Sequence, residues 1–197
     1  MINPFDVLID SYLQDNIGID TGFLNQNLSK GLLQNILRLQ SEDLMVAAGI
    51  GNNTVKDDEQ KMRSDKIYWM DKNHDNIFEQ EFLKHIEDFI NRLNSTCYTG
   101  INGYEFHYAI YEEGSLYKRH KDQFKNNSAR KYSLISYLNN NWLEKDGGQL
   151  VVYQNNIAQK ILPHSQTAVF FKSDEMEHEV TKANRSRMSI TGWLKSA

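Results

Sequence analysis

Cysteine is almost absent from this 197-residue sequence. Cys97 stands alone, so no disulfide can form within the chain. A lone thiol fits a reducing compartment. Residues 1–6 carry no basic segment followed by an apolar run, so we expect no signal peptide. Together these features predict a cytoplasmic location.

Long apolar runs and long runs of one charge are missing as well. No stretch approaches the roughly 18 apolar residues of a membrane span, so we expect no membrane partner. The formal net charge is −4 and there is no basic run, which disfavours non-specific nucleic-acid binding. With 40% apolar residues and two prolines, residues 1–197 are expected to form a single domain without a proline-rich hinge.

The hydrophobic period is mostly helical in residues 1–97. It predicts helices over residues 4–14, 28–40 and 76–93, the last with apolar residues at i, i+4 and i+8. Residues 47–62 contain glycines, two adjacent asparagines and a charged run, which predicts a long mobile loop.

The second half of the chain, residues 98–197, has short alternating segments bounded by turn residues. They predict strands over residues 104–111, 132–138, 149–153, 167–172 and 187–194. Many short strands without intervening helices are typical of a sandwich or jelly roll. The expected fold class is therefore α+β with a mainly β core, and the N-terminal helices support one of its sheets.

One segment contains the pair His120-x-Asp122. Residues two apart on a strand point the same way, so both side chains can reach one ion. His178 would complete a set of two histidines and one carboxylate, which leaves coordination positions open and suits Fe(II) oxygen chemistry. By itself the pair is weak, because this composition gives about one His-x-acid match by chance.

Other polar patterns receive structural interpretations. His85 and Glu87 fall within a predicted helix, where residues two apart diverge, so we expect a solvated helix face. Residues 71–76 begin like a calcium loop but lack its glycine and its final glutamate, and they are expected to cap the next helix. His164 is expected to be exposed. His107 is expected to line the pocket with Tyr111 or to be a hydrogen-bonded core residue.

The joint spacing of several motifs carries a resemblance. Residues 135–142 read ISYLNNNW and residues 147–150 read GGQL; His178 is followed by Glu-Val and then by RMSITGW, which begins at Arg187. This spacing resembles the 2-oxoglutarate/Fe(II) oxygenases, and within them the hypoxia-inducible-factor prolyl hydroxylases and their bacterial prolyl 4-hydroxylase relatives. The resemblance covers residues 104–195 and extends upstream to RSDKIYW at residues 63–69.

The resemblance implies a double-stranded β-helix and a set of site residues. His120, Asp122 and His178 are the implied iron ligands. Arg187 is implied to pair with the distal carboxylate of 2-oxoglutarate, which a guanidinium matches bidentately. Tyr137 is implied to bond the same carboxylate. The remaining implied residues are Tyr111 and Thr191 for the co-substrate, and Arg130, Arg63, Asp65 and Trp193 for the substrate.

The implied activity is hydroxylation of a prolyl residue in a protein or peptide. It consumes 2-oxoglutarate and O2, releases succinate and CO2, and can use ascorbate as reductant. The alternatives are a 2-oxoglutarate oxygenase for another residue or a small molecule, a non-catalytic jelly-roll binding module, and a zinc hydrolase. A nucleic-acid demethylase is disfavoured, because those relatives carry a second arginine on the strand of the cofactor arginine, and none follows Arg187.

Overall fold

The computed structural model describes residues 3–49, 62–123 and 129–196. Most of the predicted mobile loop, residues 50–61, lies outside this part of the chain. The helices are α1 Asp6–Asp15, α2 Gln26–Ser41 and α3 Ile77–Cys97, with a short 3-10 helix at Glu144–Asp146. The strands are β1 Ile17–Asp20, β2 Val46–Ala47, β3 Lys66–Trp69, β4 Gly103–Tyr111, β5 Tyr117–His120, β6 Arg130–Tyr137, β7 Leu150–Gln154, β8 Ile157–Ile161, β9 Ala168–Lys172, β10 Glu177–Val180 and β11 Arg187–Lys195.

Asparagine side chains begin the two long helices. The Asn25 side chain accepts from the Leu28 amide at the start of α2, and the Asn76 side chain accepts from the Phe78 and Glu79 amides at the start of α3. The prediction that residues 71–76 form a helix cap is confirmed. No helix in the described ranges is long and apolar enough to cross a membrane.

The strands form two antiparallel sheets. The large sheet has the order β1-β9-β6-β11-β4-β3-β2, and the small sheet has the order β5-β10-β7-β8. Strands from the N-terminal half thus extend the large sheet at both edges, with β1 at one edge and β3 and β2 at the other. The expected jelly roll, a double-stranded β-helix, is confirmed.

Alternation along the strands divides the core into two layers. Phe106, Tyr108 and Ile110 of β4 pack against the three helices, whereas Ala109 and Tyr111 face the small sheet. The helices therefore cover the outer face of the large sheet, as the sequence predicts. The inner face of the large sheet faces the small sheet, and side chains between the two sheets can form a site.

Candidate active site

Three potential metal ligands converge between the sheets. His120 at the end of β5 pairs in register with His178 of β10. The Asp122 Oδ1 atom lies 3.4 Å from His120 Nε2 and 3.7 Å from His178 Nε2. The prediction that His120 and Asp122 share a strand is wrong in detail: β5 ends at His120, and Asp122 lies two residues beyond it.

Hydrogen bonds to main-chain and side-chain atoms orient all three ligands. His120 Nδ1 lies 2.7 Å from the Lys118 carbonyl oxygen, and His178 Nδ1 lies 3.1 Å from the Met176 carbonyl oxygen. Each imidazole thus donates from Nδ1 and turns the lone pair of Nε2 toward the cluster. The remaining oxygen of Asp122 accepts from the Ser133 hydroxyl at 2.7 Å.

The chemistry of this cluster fits Fe(II). The Nε2 atom of His120 is buried and has no hydrogen-bond partner within the described residues, as expected of a ligand atom. Burial lowers the pKa of His178, which favours the neutral, ligating form. Burial acts to raise the pKa of Asp122, but His178, His120 and Ser133 outweigh it and lower that pKa. Two imidazoles and one carboxylate match the ligand set of non-haem Fe(II).

A buried arginine lies at the inner end of the same cavity. Arg187 is 1% exposed, and its guanidinium donates to the Gly148 carbonyl oxygen at 2.8 Å and to the Ser189 hydroxyl at 3.3 Å. Its Cζ atom lies 4.9 Å from the Tyr111 ring centre and 5.0 Å from the Tyr137 ring centre. In the described part of the chain, no carboxylate forms an ion pair with it. A buried cation in this state fits an anionic ligand.

The neighbouring Tyr137 hydroxyl supports the same interpretation. It is buried without a hydrogen-bond partner among the residues that the structure describes. Burial raises the pKa of Tyr137 to about 12, although Arg187 opposes the shift, so the hydroxyl stays protonated and can donate. Beside Arg187 it offers a second donor to one carboxylate.

Two glycines shape the support of Arg187. Gly148 has φ +61°, and a Cβ there would lie 3.0 Å from Arg187 Cδ; at Gly147, with φ +66°, a Cβ would lie 2.2 Å from the Lys182 carbonyl oxygen. Only glycine fits this left-handed, crowded turn. The GGQL motif therefore presents the carbonyl that holds the guanidinium.

A stack of side chains connects the start of β3 with the metal cluster. Arg63 bonds Asp65 with two hydrogen bonds of 2.7 and 2.5 Å, and its guanidinium lies over the Tyr117 ring at 4.6 Å. The Tyr117 ring stacks in turn on His120, with ring centres 3.6 Å apart. Arg63 and Asp65 thus support a metal ligand from one side of the cavity mouth.

A second arginine holds an indole at the other side of the mouth. Arg130 Cζ lies 3.5 Å above the Trp193 ring centre, and the guanidinium pairs with Glu105 at 2.7 Å. Lys195 bonds the same carboxylate at 3.0 Å. The indole is therefore packed under a cation that is itself anchored.

Comparison with known proteins identifies the domain. A model of the 2OG-Fe(II) oxygenase superfamily matches residues 106–195, which include the three ligands and Arg187. The chain carries a 2-oxoglutarate/Fe(II) oxygenase domain. This oxygenase is therefore an enzyme that uses Fe(II), 2-oxoglutarate and O2, and the match favours this activity over the binding-module and zinc-hydrolase alternatives.

Solved structures extend the likeness over the whole oxygenase. A Pseudomonas putida prolyl-4-hydroxylase is 27% identical with a TM-score of 0.89, over 98% of this chain and 99% of that one. A Trichoplax adhaerens prolyl hydroxylase, in complex with a hypoxia-inducible-factor peptide fragment, is 27% identical with a TM-score of 0.87, over 97% and 88%. A Phytophthora capsici prolyl 4-hydroxylase is 18% identical with a TM-score of 0.75, over 98% and 64%, and shows the fold alone.

The oxygenase brings most of the predicted site residues to one cavity. Its lining includes His120, Asp122, His178, Arg187, Tyr111, Thr191, Arg63, Trp193 and also His107. Tyr137 is not among the lining residues, but its ring lies beside the Arg187 guanidinium. Asp65 is buried beneath Arg63, and Arg130 lies above Trp193, so both are one layer removed from the lining.

Other expectations have mixed outcomes. His164 is exposed, as predicted. The solvated face predicted for His85 is wrong, because its ring packs on Phe5 and Phe23 with ring centres 4.9 and 4.8 Å away. The sequence reasoning also missed the support that Ser133 gives to Asp122. Its alternation with Tyr137 on β6 was the available signal, since it places both hydroxyls on the inner face.

Proposed function

We propose that this oxygenase hydroxylates a prolyl residue of a protein or peptide. The observation that carries the proposal is one cavity that combines the three metal ligands with a buried Arg187, which forms no ion pair with the residues that the structure describes. Support for the prolyl substrate comes from the two hydroxylase structures at 27% identity, one of which is a complex with a peptide fragment.

His120, Asp122 and His178 would hold the metal, and Arg187 with Tyr137 would hold 2-oxoglutarate. When bound, Fe(II), 2-oxoglutarate and O2 supply the oxidation that inserts one oxygen atom into a C–H bond, with succinate and CO2 as the other products. Three protein ligands would leave coordination positions at the metal for co-substrates. The Arg187 guanidinium would neutralise the far carboxylate of 2-oxoglutarate, and the Tyr137 hydroxyl would donate to it.

The protein walls exclude water and orient the reacting groups. Tyr111 and Thr191 line the cavity beside Arg187, while Ile135, Leu150 and Val180 give it apolar surface. Trp193 and Arg63 line the cavity nearer its mouth and would contact the substrate. Arg130 and Asp65 would act on the substrate through these two neighbours.

The test is mass spectrometry of a synthetic peptide library. Each peptide carries one central proline, and a matched peptide carries alanine in its place. With Fe(II), 2-oxoglutarate and O2, we expect some proline peptides to gain the mass of one oxygen atom, with stoichiometric succinate. The matched alanine peptides should not change.

Two outcomes would contradict the proposal. Equal oxidation of proline and alanine peptides would mean that another residue is the target. Succinate formation without any peptide oxidation would favour a small-molecule substrate. An Asp122→Ala variant serves as the control for metal-dependent chemistry.

A further inference from the structure

Two unpaired polar atoms beside the cavity have no part in holding iron or 2-oxoglutarate. They are Nδ1 of His107 and Nε1 of Trp193, both buried without a hydrogen-bond partner in the residues that the structure describes. Both residues line the cavity. Buried polar atoms are nearly always bonded, so a pair of unbonded ones in a cavity points to a ligand that completes them.

The two side chains lie on neighbouring strands and face each other. His107 is on β4 and Trp193 on β11, where Thr191 is the register partner of His107. Their ring centres are 5.5 Å apart. Trp69 of β3 lies 4.9 Å from the His107 ring centre and 6.3 Å from the Trp193 ring centre, and it is 45% exposed. The three rings thus form a triangular cluster beside the cavity.

Packing restrains both rings. His107 is 2% exposed and packs against both indoles. Trp193 lies beneath Arg130, which Glu105 holds in place. These close neighbours oppose reorientation of the rings, so the two nitrogens do not readily gain partners within the protein. The two nitrogens are therefore held in place, so that a ligand can bond them without rearrangement of the protein.

The protonation state of His107 defines what it can bind. Burial lowers the pKa of His107 to about 3, and Arg63 and Arg130 act in the same direction while Asp65 and Asp122 oppose it. The imidazole is thus neutral near pH 7 and offers one donor and one acceptor, whereas the indole offers a donor only. A main-chain peptide group has the complementary set, one carbonyl oxygen and one N–H.

We propose that His107 and Trp193 form a subsite for a main-chain peptide group of the substrate. Trp193 donates to the peptide carbonyl, and the His107 imidazole makes the second hydrogen bond. This inference rests on the proposed function, because it requires a peptide substrate. His107 is then a specificity-determining residue, and the subsite rejects molecules that leave its nitrogens unpaired.

The test uses the library peptide with the highest oxidation yield, labelled with fluorescein. Its affinity is measured by anisotropy under anaerobic conditions with Fe(II) and 2-oxoglutarate present, and 2-oxoglutarate affinity is measured separately by calorimetry. His107→Phe keeps an aromatic ring against Trp69 and Trp193 but removes both nitrogens. We expect it to weaken peptide binding about 5- to 100-fold while 2-oxoglutarate affinity stays within about twofold.

Further variants separate a hydrogen-bonding role from a packing role. His107→Asn, which restores a donor and an acceptor, should recover part of the affinity. Trp193→Phe should weaken binding too, and the double variant should lose less than the two single losses combined, because both residues bind one group. His164→Phe, at an exposed site, is the matched control and should bind as wild type.

The contrary outcomes are distinct. Wild-type affinity in His107→Phe, or an equal loss of 2-oxoglutarate affinity, would overturn the subsite and leave the proposed function intact. If no library peptide binds or reacts with the wild-type enzyme, the proposed function and the subsite fall together.

Discussion

The inner end of the cavity and its mouth both contain arginines beside aromatic rings, but the two regions differ in what opposes the charge. At the mouth, Arg63 is paired with Asp65 and Arg130 with Glu105. At the inner end, Arg187 is more deeply buried than either, and no carboxylate pairs with it in the described ranges. The paired Arg63 and Arg130 pack against neighbouring aromatic rings, whereas Arg187 is free to bind an anionic ligand.

Asp122 is a buried charge of the opposite sign to Arg187. It is a buried carboxylate that, within the described residues, lies beside the imidazoles of His120 and His178 and forms no ion pair with a lysine or an arginine. Unpaired buried charges cost stability, so proteins retain them where a ligand completes the pair. The cavity therefore has one site for a cation, at Asp122, and one site for an anion, at Arg187. The ion pairs lie at its mouth.

The largest effect is expected from removing the carboxylate of the cation site. Asp122→Ala should abolish succinate formation, because two histidines alone leave the metal without its charged ligand. The fold should persist, which circular dichroism checks. Turnover close to the wild-type rate would remove Asp122 from the site. His164→Ala is the control, because His164 is exposed.

The next effect separates stability from binding at the mouth. Arg63→Met leaves the Asp65 carboxylate, which is 2% exposed, buried without its partner. We expect the free energy of unfolding in urea to fall by about 3–5 kcal/mol. The double variant Arg63→Met/Asp65→Leu should recover part of this loss. A single variant as stable as the wild type would mean that Asp65 has other support.

The same substitution at the inner end should act on ligand affinity. Arg187→Met removes an unpaired charge, so its unfolding free energy should fall by less than that of Arg63→Met. Affinity for 2-oxoglutarate should fall about 10- to 150-fold, because a charge-assisted hydrogen bond contributes about 1.5–3 kcal/mol. Anaerobic calorimetry measures this loss. Equal 2-oxoglutarate affinity in both Met variants would contradict the assignment of Arg187, rather than Arg63, as the residue that binds 2-oxoglutarate.

The contrast between the two ends also marks how far sequence reasoning reaches. His120, Asp122, His178 and Arg187 could be predicted because each lies at a spacing that a chemical role explains. The partner of Arg130 could not, since Glu105 is 25 residues away along the chain and only the β4–β11–β6 register brings them together. Whether an arginine is paired is thus a tertiary property.

The strands themselves show the same limit. β4, β6 and β11 alternate clearly, because each has helices on one side and the cavity on the other. β8 has four exposed residues in five, and β10 reads EHEV, in which functional and surface residues replace the apolar positions. Neither has a hydrophobic period, so neither was predicted as a strand. Their pairing with β7 gives them their structure.

The smallest effect concerns Glu105, the carboxylate that anchors Arg130 over Trp193. Glu105→Gln should lower the free energy of unfolding by less than about 1 kcal/mol, because the group is partly exposed to solvent. Burial acts to raise the pKa of Glu105, but Lys195 and Arg130 outweigh it and lower that pKa from 4.5. A lowered folded-state pKa means that the ionised group stabilises the fold above its unfolded pKa and stops doing so as the pH falls.

The stability difference between wild type and Glu105→Gln should therefore be present at neutral pH and shrink as the pH falls below about 4.5. Urea titrations of both proteins across this range measure it. Peptide affinity should weaken only a few-fold, because Trp193 keeps its place while Arg130 loses its anchor. A difference that grows toward acid pH would show that Glu105 is not stabilised by these cations. The mouth would then owe its order to aromatic packing alone, and the contrast with Arg187 would no longer be one of paired against unpaired charge.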